Sequence, residues 1–366
     1  MMGKIDYRSR WSKVKKILEE KSADAYVSKI EGNMRYLALS ETPYHPASFG
    51  IVSYVVIPLK EEPVAITPCL EEFRAKDMLP IKNIKIFGDY PLIPSDGKKK
   101  SELLKKVLTD LNVKKVIFDM KENIDGFEIE EYDAIEKMRL QKDKEEIERI
   151  KKAVSISDSA YDYLKNRLLI EGEKENDVAR KLENYMRKQG IESVSFPAIV
   201  ASGKNSAYSH HDNSPKKIKN GETVIVDYGA CYKGYCSDVT RTFTIGKIPK
   251  KLKEIYNIVL EANKKAICAA RIGAEYKEID EAARKVINES GYGRYFVHST
   301  GHGIGLEVHE SPRIAPTSEG KVSLGEVFTI EPGIYLPGIG GVRIEDMVYI
   351  GEDGTEVITK AEKKKI

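Results

Sequence analysis

Thr223-Val-Ile-Val-Asp-Tyr-Gly-Ala230 sets one acid, Asp227, in a β-branched and aromatic run that is apolar on both strand faces. A strand of this kind is covered on both sides. An ionised carboxylate there is costly unless it is paired or bound to a metal. The conflict recurs at Glu331 in Val327-Phe-Thr-Ile-Glu-Pro-Gly333 and at Glu345 in Gly341-Val-Arg-Ile-Glu-Asp-Met-Val348. Asp238 lies in another strand-like run, Ser237-Asp-Val-Thr-Arg-Thr-Phe243. Taken singly, each acid is equally well explained by a buried ion pair with Arg241 or Arg343. Four such conflicts in one region favour a shared cation.

Outward from these runs, the order of elements occurs twice. Helices over 145–168 and 174–188 precede strands around Ser195–Ala201, Thr223–Tyr232 and Ser237–Ile245. Helices over 251–271 and 276–290 then precede strands around Phe296–Ser299, Val327–Tyr335 and Gly341–Ile350. Each half sets two acids on neighbouring strands, so a two-fold arrangement would bring four carboxylates to one centre. The earlier part alternates differently. A helix over Trp11–Glu20 precedes strands at Ala25–Val27, Ile51–Pro58 and Val64–Thr67. Strands at Ile84–Phe87 and Lys115–Phe118 flank a helix over Ser101–Leu111, which reads as a small α/β domain over residues 1–138. Arg139–Lys144 is charged and without apolar periodicity, and the second domain takes residues 139–366.

Five of the six histidines fall between His210 and His309, and three lie in His298-Ser-Thr-Gly-His-Gly-Ile-Gly-Leu-Glu-Val-His309. The glycines there permit close backbone approach. No Lys-Ser or Lys-Thr follows them, which excludes a phosphate loop, and the His-Glu-x-x-His pattern of zinc proteases is absent. Four carboxylates and one imidazole are nearly neutralised by two divalent ions, whereas one ion leaves several kcal/mol of repulsion at low dielectric. Oxygen-rich ligation with one nitrogen favours Mn²⁺ or Co²⁺, with Zn²⁺ also admissible. Paired ions lower the pKa of a shared water, the chemistry of metal-assisted hydrolysis.

Composition bounds the alternatives. With 41% apolar and 32% charged residues over 366 positions, the chain can bury two domain cores, which excludes a disordered protein. Basic and acidic residues nearly cancel, 60 against 57, so no nucleic-acid partner is expected. Lys98–Lys100 and Lys363–Lys365 read as a solvated turn and a frayed terminus. Met1–Trp11 lacks the apolar stretch of a signal peptide, and no apolar run reaches the ~18 residues of a membrane span. Four cysteines, Cys69, Cys231, Cys236 and Cys268, suit a reducing compartment. The expectation is a cytoplasmic protein without a membrane partner.

The runs Ile225-Val-Asp-Tyr-Gly229, Ser237-Asp-Val-Thr-Arg-Thr242, Thr300-Gly-His-Gly-Ile-Gly305, Ile330-Glu-Pro-Gly333 and Val342-Arg-Ile-Glu-Asp346 together resemble the pita-bread metallopeptidases. That group includes Xaa-Pro dipeptidase (prolidase), aminopeptidase P and methionine aminopeptidase. The spacings 11, 64, 29 and 14 between Asp227, Asp238, His302, Glu331 and Glu345 resemble prolidases most. The resemblance implies an α+β fold: a small N-terminal creatinase-type α/β domain, then a pita-bread catalytic domain with a pseudo-two-fold repeat.

The resemblance also implies roles. Asp227 would bind one metal, His302 and Glu331 the other, with Asp238 and Glu345 touching both. Glu331 would shuttle protons, His309 would stabilise the tetrahedral intermediate and His210 would contact substrate. Arg343 would hold a ligand or the substrate carboxylate. His298 would line the pocket or be structural, and His211 reads as a loop residue. The implied activity is cleavage of the bond before proline in small Xaa-Pro peptides by two divalent ions per subunit. Aminopeptidase P acting on longer peptides is the nearest alternative. A metal-free creatinase-like hydrolase and a non-catalytic peptide-binding module are opposed by the intact ligand set. The resemblance further implies a homodimer, in which Trp11 or Tyr44-His45-Pro46 would reach a neighbour's site.

Overall fold

The hairpins that carry the acids are each broken in the middle, and this break organises the second half of the chain. Thr223–Tyr228 pairs antiparallel with Val239–Thr244, while Ala230–Tyr232 pairs with Tyr235–Cys236. The second half repeats the device: Val327–Ile330 pairs with Asp346–Gly351, and Gly333–Leu336 with Gly340–Arg343. In both halves the base and the tip of one hairpin belong to different sheets. The computed structural model describes residues 3–40 and 50–363. Tyr44-His45-Pro46 therefore lies outside the described residues. Packing divides the chain into two units, Gly3–Arg139 and Leu140–Ile366.

In the first unit a six-stranded mixed sheet runs in the order Asn83–Phe87, Val64–Pro68, Tyr54–Pro58, Ala25–Ser28, Lys115–Phe118, Glu128–Glu131. The helix Lys100–Asp110 covers it with Leu103, Leu104, Val107 and Leu108, the i, i+1, i+4, i+5 stripe of an amphipathic helix. The helix expected from Trp11 starts at Tyr7, where the Asp6 side chain accepts from the Ser9 N–H at 3.0 Å. Trp11 is buried, and its indole N–H donates to the Leu37 carbonyl at 2.9 Å. Within this unit Trp11 is a core residue. The strand expected from Ile51 begins at Tyr54, and the edge strand Glu128–Glu131 was not expected. Three of its four residues are acidic, so it carries no apolar signal.

In the second unit each half has its own helix pair and its own core. Helix Lys144–Tyr163 starts at a reciprocal cap between Asp143 and Glu146, and ends in a wider π-helical turn, Leu164–Leu168. With helix Glu175–Lys188 it buries Leu164, Val178, Leu182 and Met186 against Val224 and Val226. Helices Lys250–Ala269 and Tyr276–Glu289 bury Ile255, Val259, Ile279 and Ala283 against Phe328 and Val348. The stretch expected to be an unpatterned link is structured: a helix runs Ala134–Leu140 and Asp143 caps the next. No helix among the described residues is long and apolar enough to cross a membrane.

Two sequence-based strand assignments are corrected. Phe296–Ser299 is irregular, following a short turn at Gly293–Tyr295; the strand that forms there is Gly301–Gly303. It joins the five-stranded sheet Glu310–Ile314, Gly301–Gly303, Val327–Ile330, Asp346–Gly351, Gly354–Val357. Glycine is required in it: a Cβ on Gly301 would stand 1.9 Å from the Thr329 carbonyl oxygen, and one on Gly303 2.0 Å from that of Ser311. The second correction concerns the acids. Asp227 lies within its strand, but Asp238, Glu331 and Glu345 lie in the breaks between strands. There the backbone leaves one sheet for the next, and the side chains turn inward.

Candidate metal centre

Ligating atoms of Asp238, His302 and Glu345 all lie within 4.8 Å of one another. His302 Nε2 stands 3.7 Å from Asp238 Oδ2 and 3.4 Å from Glu331 Oε1. The imidazole is oriented by its other nitrogen, since Nδ1 donates to the Gly303 carbonyl at 3.0 Å. That tautomer leaves the Nε2 lone pair facing the carboxylates, as metal ligation requires. The His302 backbone N–H donates to Thr329 Oγ1 at 3.1 Å, fixing the strand that carries it.

The hairpin breaks are tied across the two halves. The Glu345 N–H donates to the Thr240 carbonyl at 3.1 Å, and Thr240 Oγ1 donates to Glu345 Oε2 at 2.8 Å. Thr240 is the register partner of Asp227, so Asp227 and Glu345 are held on adjoining backbone. The Glu331 N–H donates to the Thr300 carbonyl at 2.7 Å, next to Gly301.

Electrostatics explains what this packing stores. Burial first, and the charges of Glu345, Asp227 and Glu331 next, push the Asp238 carboxyl well above its ordinary range. Burial and Glu345 do the same to Glu331, against the opposing Arg343. Glu345 is pushed up to about 8, by burial and then by Asp227. Burial lowers His302 to about 4, with His309 adding to the effect. Without a cation, Asp238, Glu331 and Glu345 favour protonation while the His302 imidazole stays neutral. Asp227 Oδ1 and Asp238 Oδ1 are buried without any hydrogen-bond partner. Such an atom costs about 1–3 kcal/mol unless something satisfies it. These orphaned oxygens, with neutral His302 Nε2 3.7 Å from Asp238 Oδ2, fit divalent cations.

The ion-pair explanation holds for one acid and fails for three. Arg343 Nη2 donates to Asp227 Oδ2 at 2.6 Å. Arg241 pairs with Asp346 at 2.8 Å, not with any of the four acids. Among the described residues, Asp238, Glu331 and Glu345 form no salt bridge with a lysine or arginine. Arg343 does more than pair. Its Nε donates to Thr240 Oγ1 at 3.1 Å, and its Nη1 to the Tyr335 hydroxyl at 2.9 Å and the Ser209 carbonyl at 3.1 Å.

Of the remaining histidines, His309 stacks edge-on against His302 with ring centroids 4.2 Å apart, and it is exposed. His210 is exposed and near enough to both His298 and His309 to disfavour their protonation. His298 donates from Nδ1 to the Ser299 carbonyl at 2.8 Å, which leaves Nε2 to accept the Tyr335 hydroxyl at 2.9 Å. It belongs to the Arg343 network. His211 lies apart, bonded at 2.9 Å to the buried Glu175. Sequence reading missed Tyr335, Thr240 and Thr329. Tyr335 passed for a core aromatic, although a buried hydroxyl always asks for a partner.

Residues 148–352 match the model of metallopeptidase family M24. The chain belongs to metallopeptidase family M24. The expected pita-bread fold and metal-dependent peptidase stand. An Xaa-Pro dipeptidase of Pyrococcus furiosus is 39% identical over 98% of this chain and 99% of its own length. The solved Xaa-Pro dipeptidase from Bacillus anthracis superposes with a TM-score of 0.86 at 37% identity, covering 99% of each chain. The X-Pro aminopeptidase from Thermotoga maritima superposes with a TM-score of 0.83 at 34% identity, over 97% of this chain and 98% of its own. In this M24 peptidase Asp238, Glu331 and Glu345 lie in the breaks of the duplicated hairpins, inside the matched residues.

Proposed function

We propose that this M24 peptidase is an Xaa-Pro dipeptidase whose two divalent cations, Mn²⁺ or Co²⁺ with Zn²⁺ as a substitute, are held by Asp227, Asp238, His302, Glu331 and Glu345. The observation that carries the reading is the convergence of uncompensated buried carboxylates on His302 Nε2, with two carboxylate oxygens left unsatisfied. Bound there, divalent cations polarise a carbonyl and make hydroxide available near neutral pH. Near-full-length similarity to Xaa-Pro dipeptidases supports the substrate class.

The chain's own groups supply the rest. Glu331 takes up the proton of the attacking water and returns it to the departing proline nitrogen. That nitrogen is tertiary and leaves only once protonated. His309 stands exposed beside His302 and serves as hydrogen-bond donor to the scissile carbonyl oxygen as charge develops. His210 contacts the substrate from the same side. Arg343 keeps Asp227 oriented through its four-way hydrogen bonding. A cytoplasmic homodimer completes the proposal, and sedimentation tests the dimer.

Likeness to an X-Pro aminopeptidase favours a second reading, in which longer peptides are taken. Chelated protein reloaded with Mn²⁺, Co²⁺ or Zn²⁺ and offered Xaa-Pro dipeptides beside Xaa-Pro-Yaa tripeptides separates the two. Dipeptide cleavage with little tripeptide turnover is expected. Preference for tripeptides selects the aminopeptidase, and cleavage of neither with any metal rejects both.

A further inference from the structure

Glu175 opens the helix Glu175–Lys188 with its side chain wholly buried, yet it contributes nothing to the metal cluster. Its two carboxylate oxygens divide the two ends of one loop between them. Oε1 accepts from the Ser202 N–H at 2.8 Å, the Ser202 hydroxyl at 2.7 Å and the Asn205 amide at 3.0 Å. Oε2 accepts from Asn205 at 3.0 Å, His211 Nε2 at 2.9 Å, the Ser214 N–H at 3.3 Å and the Ser214 hydroxyl at 2.5 Å. Every partner is a donor, which holds the carboxyl below its usual range despite burial.

Between those two ends lies the segment that faces the metal centre. Ser206 Oγ accepts from the Gly341 N–H at 2.8 Å, and the Ser209 carbonyl accepts from Arg343. His210 follows directly. We infer that Glu175 is a positioning residue: it clasps the 202–214 loop at both ends and thereby presents His210 to substrate. The inference rests on the peptidase reading for His210. The clasp itself follows from Glu175 joining Ser202 and Asn205 to His211 and Ser214. A backbone N–H points at each oxygen, so an amide in place of the carboxylate fails one end whichever way it turns.

The test is a double-mutant cycle on the full, Mn²⁺-loaded protein with an Xaa-Pro dipeptide, combined with amide hydrogen exchange. Glu175→Gln is expected to lower kcat/KM roughly ten- to a hundredfold, the range of a lost hydrogen bond to a charged group. Mn²⁺ stoichiometry should be unchanged. In a His210→Ala background the same change should cost less than about twofold, because the group it positions is gone. Amides of 202–214 should exchange faster while those of Thr223–Tyr228 keep their protection. If Glu175→Gln does not fold, Ser214→Ala removes one donor and keeps the carboxylate, with a smaller loss and the same dependence on His210. Equal losses in both backgrounds, or unaltered loop exchange, overturn the inference. Should the parent cleave no Xaa-Pro peptide, the functional reading falls, and the exchange measurement alone decides the clasp.

Discussion

Stripping the cations from this centre should make the protein less stable as pH rises from 6.5 to 8. Glu345 has an ordinary value of 4.5 and is pushed up to about 8 in the folded state. Between those values the folded protein carries a proton there that the unfolded chain does not, so stability falls with rising pH. Asp238 and Glu331 are displaced in the same direction. His298 and His302 act oppositely, since both drop from 6.5 to about 4 and so add stability as pH climbs through that interval. His309 is lowered in the same direction; the gain from these imidazoles fades over about the first pH unit above 6.5, and the carboxylates dominate toward pH 8. From 6.5 to 8, at ~1.4 kcal/mol for each pH unit, Glu345 alone accounts for about 2 kcal/mol. The assay is urea unfolding of chelated protein at several pH values, followed by far-UV circular dichroism. Tryptophan fluorescence is unsuitable, because the one Trp, Trp11, belongs to the N-terminal unit. Glu345→Gln keeps the shape and removes the titration, so its decline should be shallower than the parent's by about 2 kcal/mol. Saturating Mn²⁺ should abolish the parent's decline, because cations bind the ionised acids. Parallel declines in parent and variant, or a parent that gains stability toward pH 8, would refute the argument.

Asp238→Ala and His302→Ala should each reduce Xaa-Pro cleavage to background with near-native circular dichroism; parental rates with added metal would show that the residue is not a ligand. Arg343→Ala should lose about 10–100-fold in activity or Mn²⁺ affinity, the usual cost of removing a group that orients a ligand. Arg343→Lys should not rescue it, since a point charge cannot reach Asp227, Thr240, Tyr335 and Ser209 together. Gly301→Ala should destabilise the catalytic unit by at least roughly 1–3 kcal/mol, because its Cβ would stand 1.9 Å from a backbone oxygen. Unchanged thermal unfolding of that variant would contradict the strand as described.

Much of this protein was legible from local pattern. The 3.6-residue period marked the helix Lys144–Tyr163, and the two-sided apolar run around Asp227 marked a covered strand with an acid that needed a partner. The order Asp227, Asp238, His302, Glu331, Glu345 already put these five forward as candidate ligands. Only the tertiary structure decided that Asp238, Glu331 and Glu345 sit where strands change sheets, and that of the four acids Arg343 forms its ion pair with Asp227. It alone made Gly301–Gly303 a strand, turned Tyr335 from core filler into a bridge between Arg343 and His298, and set Glu175 under the His210 loop. Periodicity reports what a side chain meets within a turn or two of its own backbone. Hydrogen-bond partners, desolvation and charge repulsion come from groups far away in the chain, and they exist only once the halves have packed.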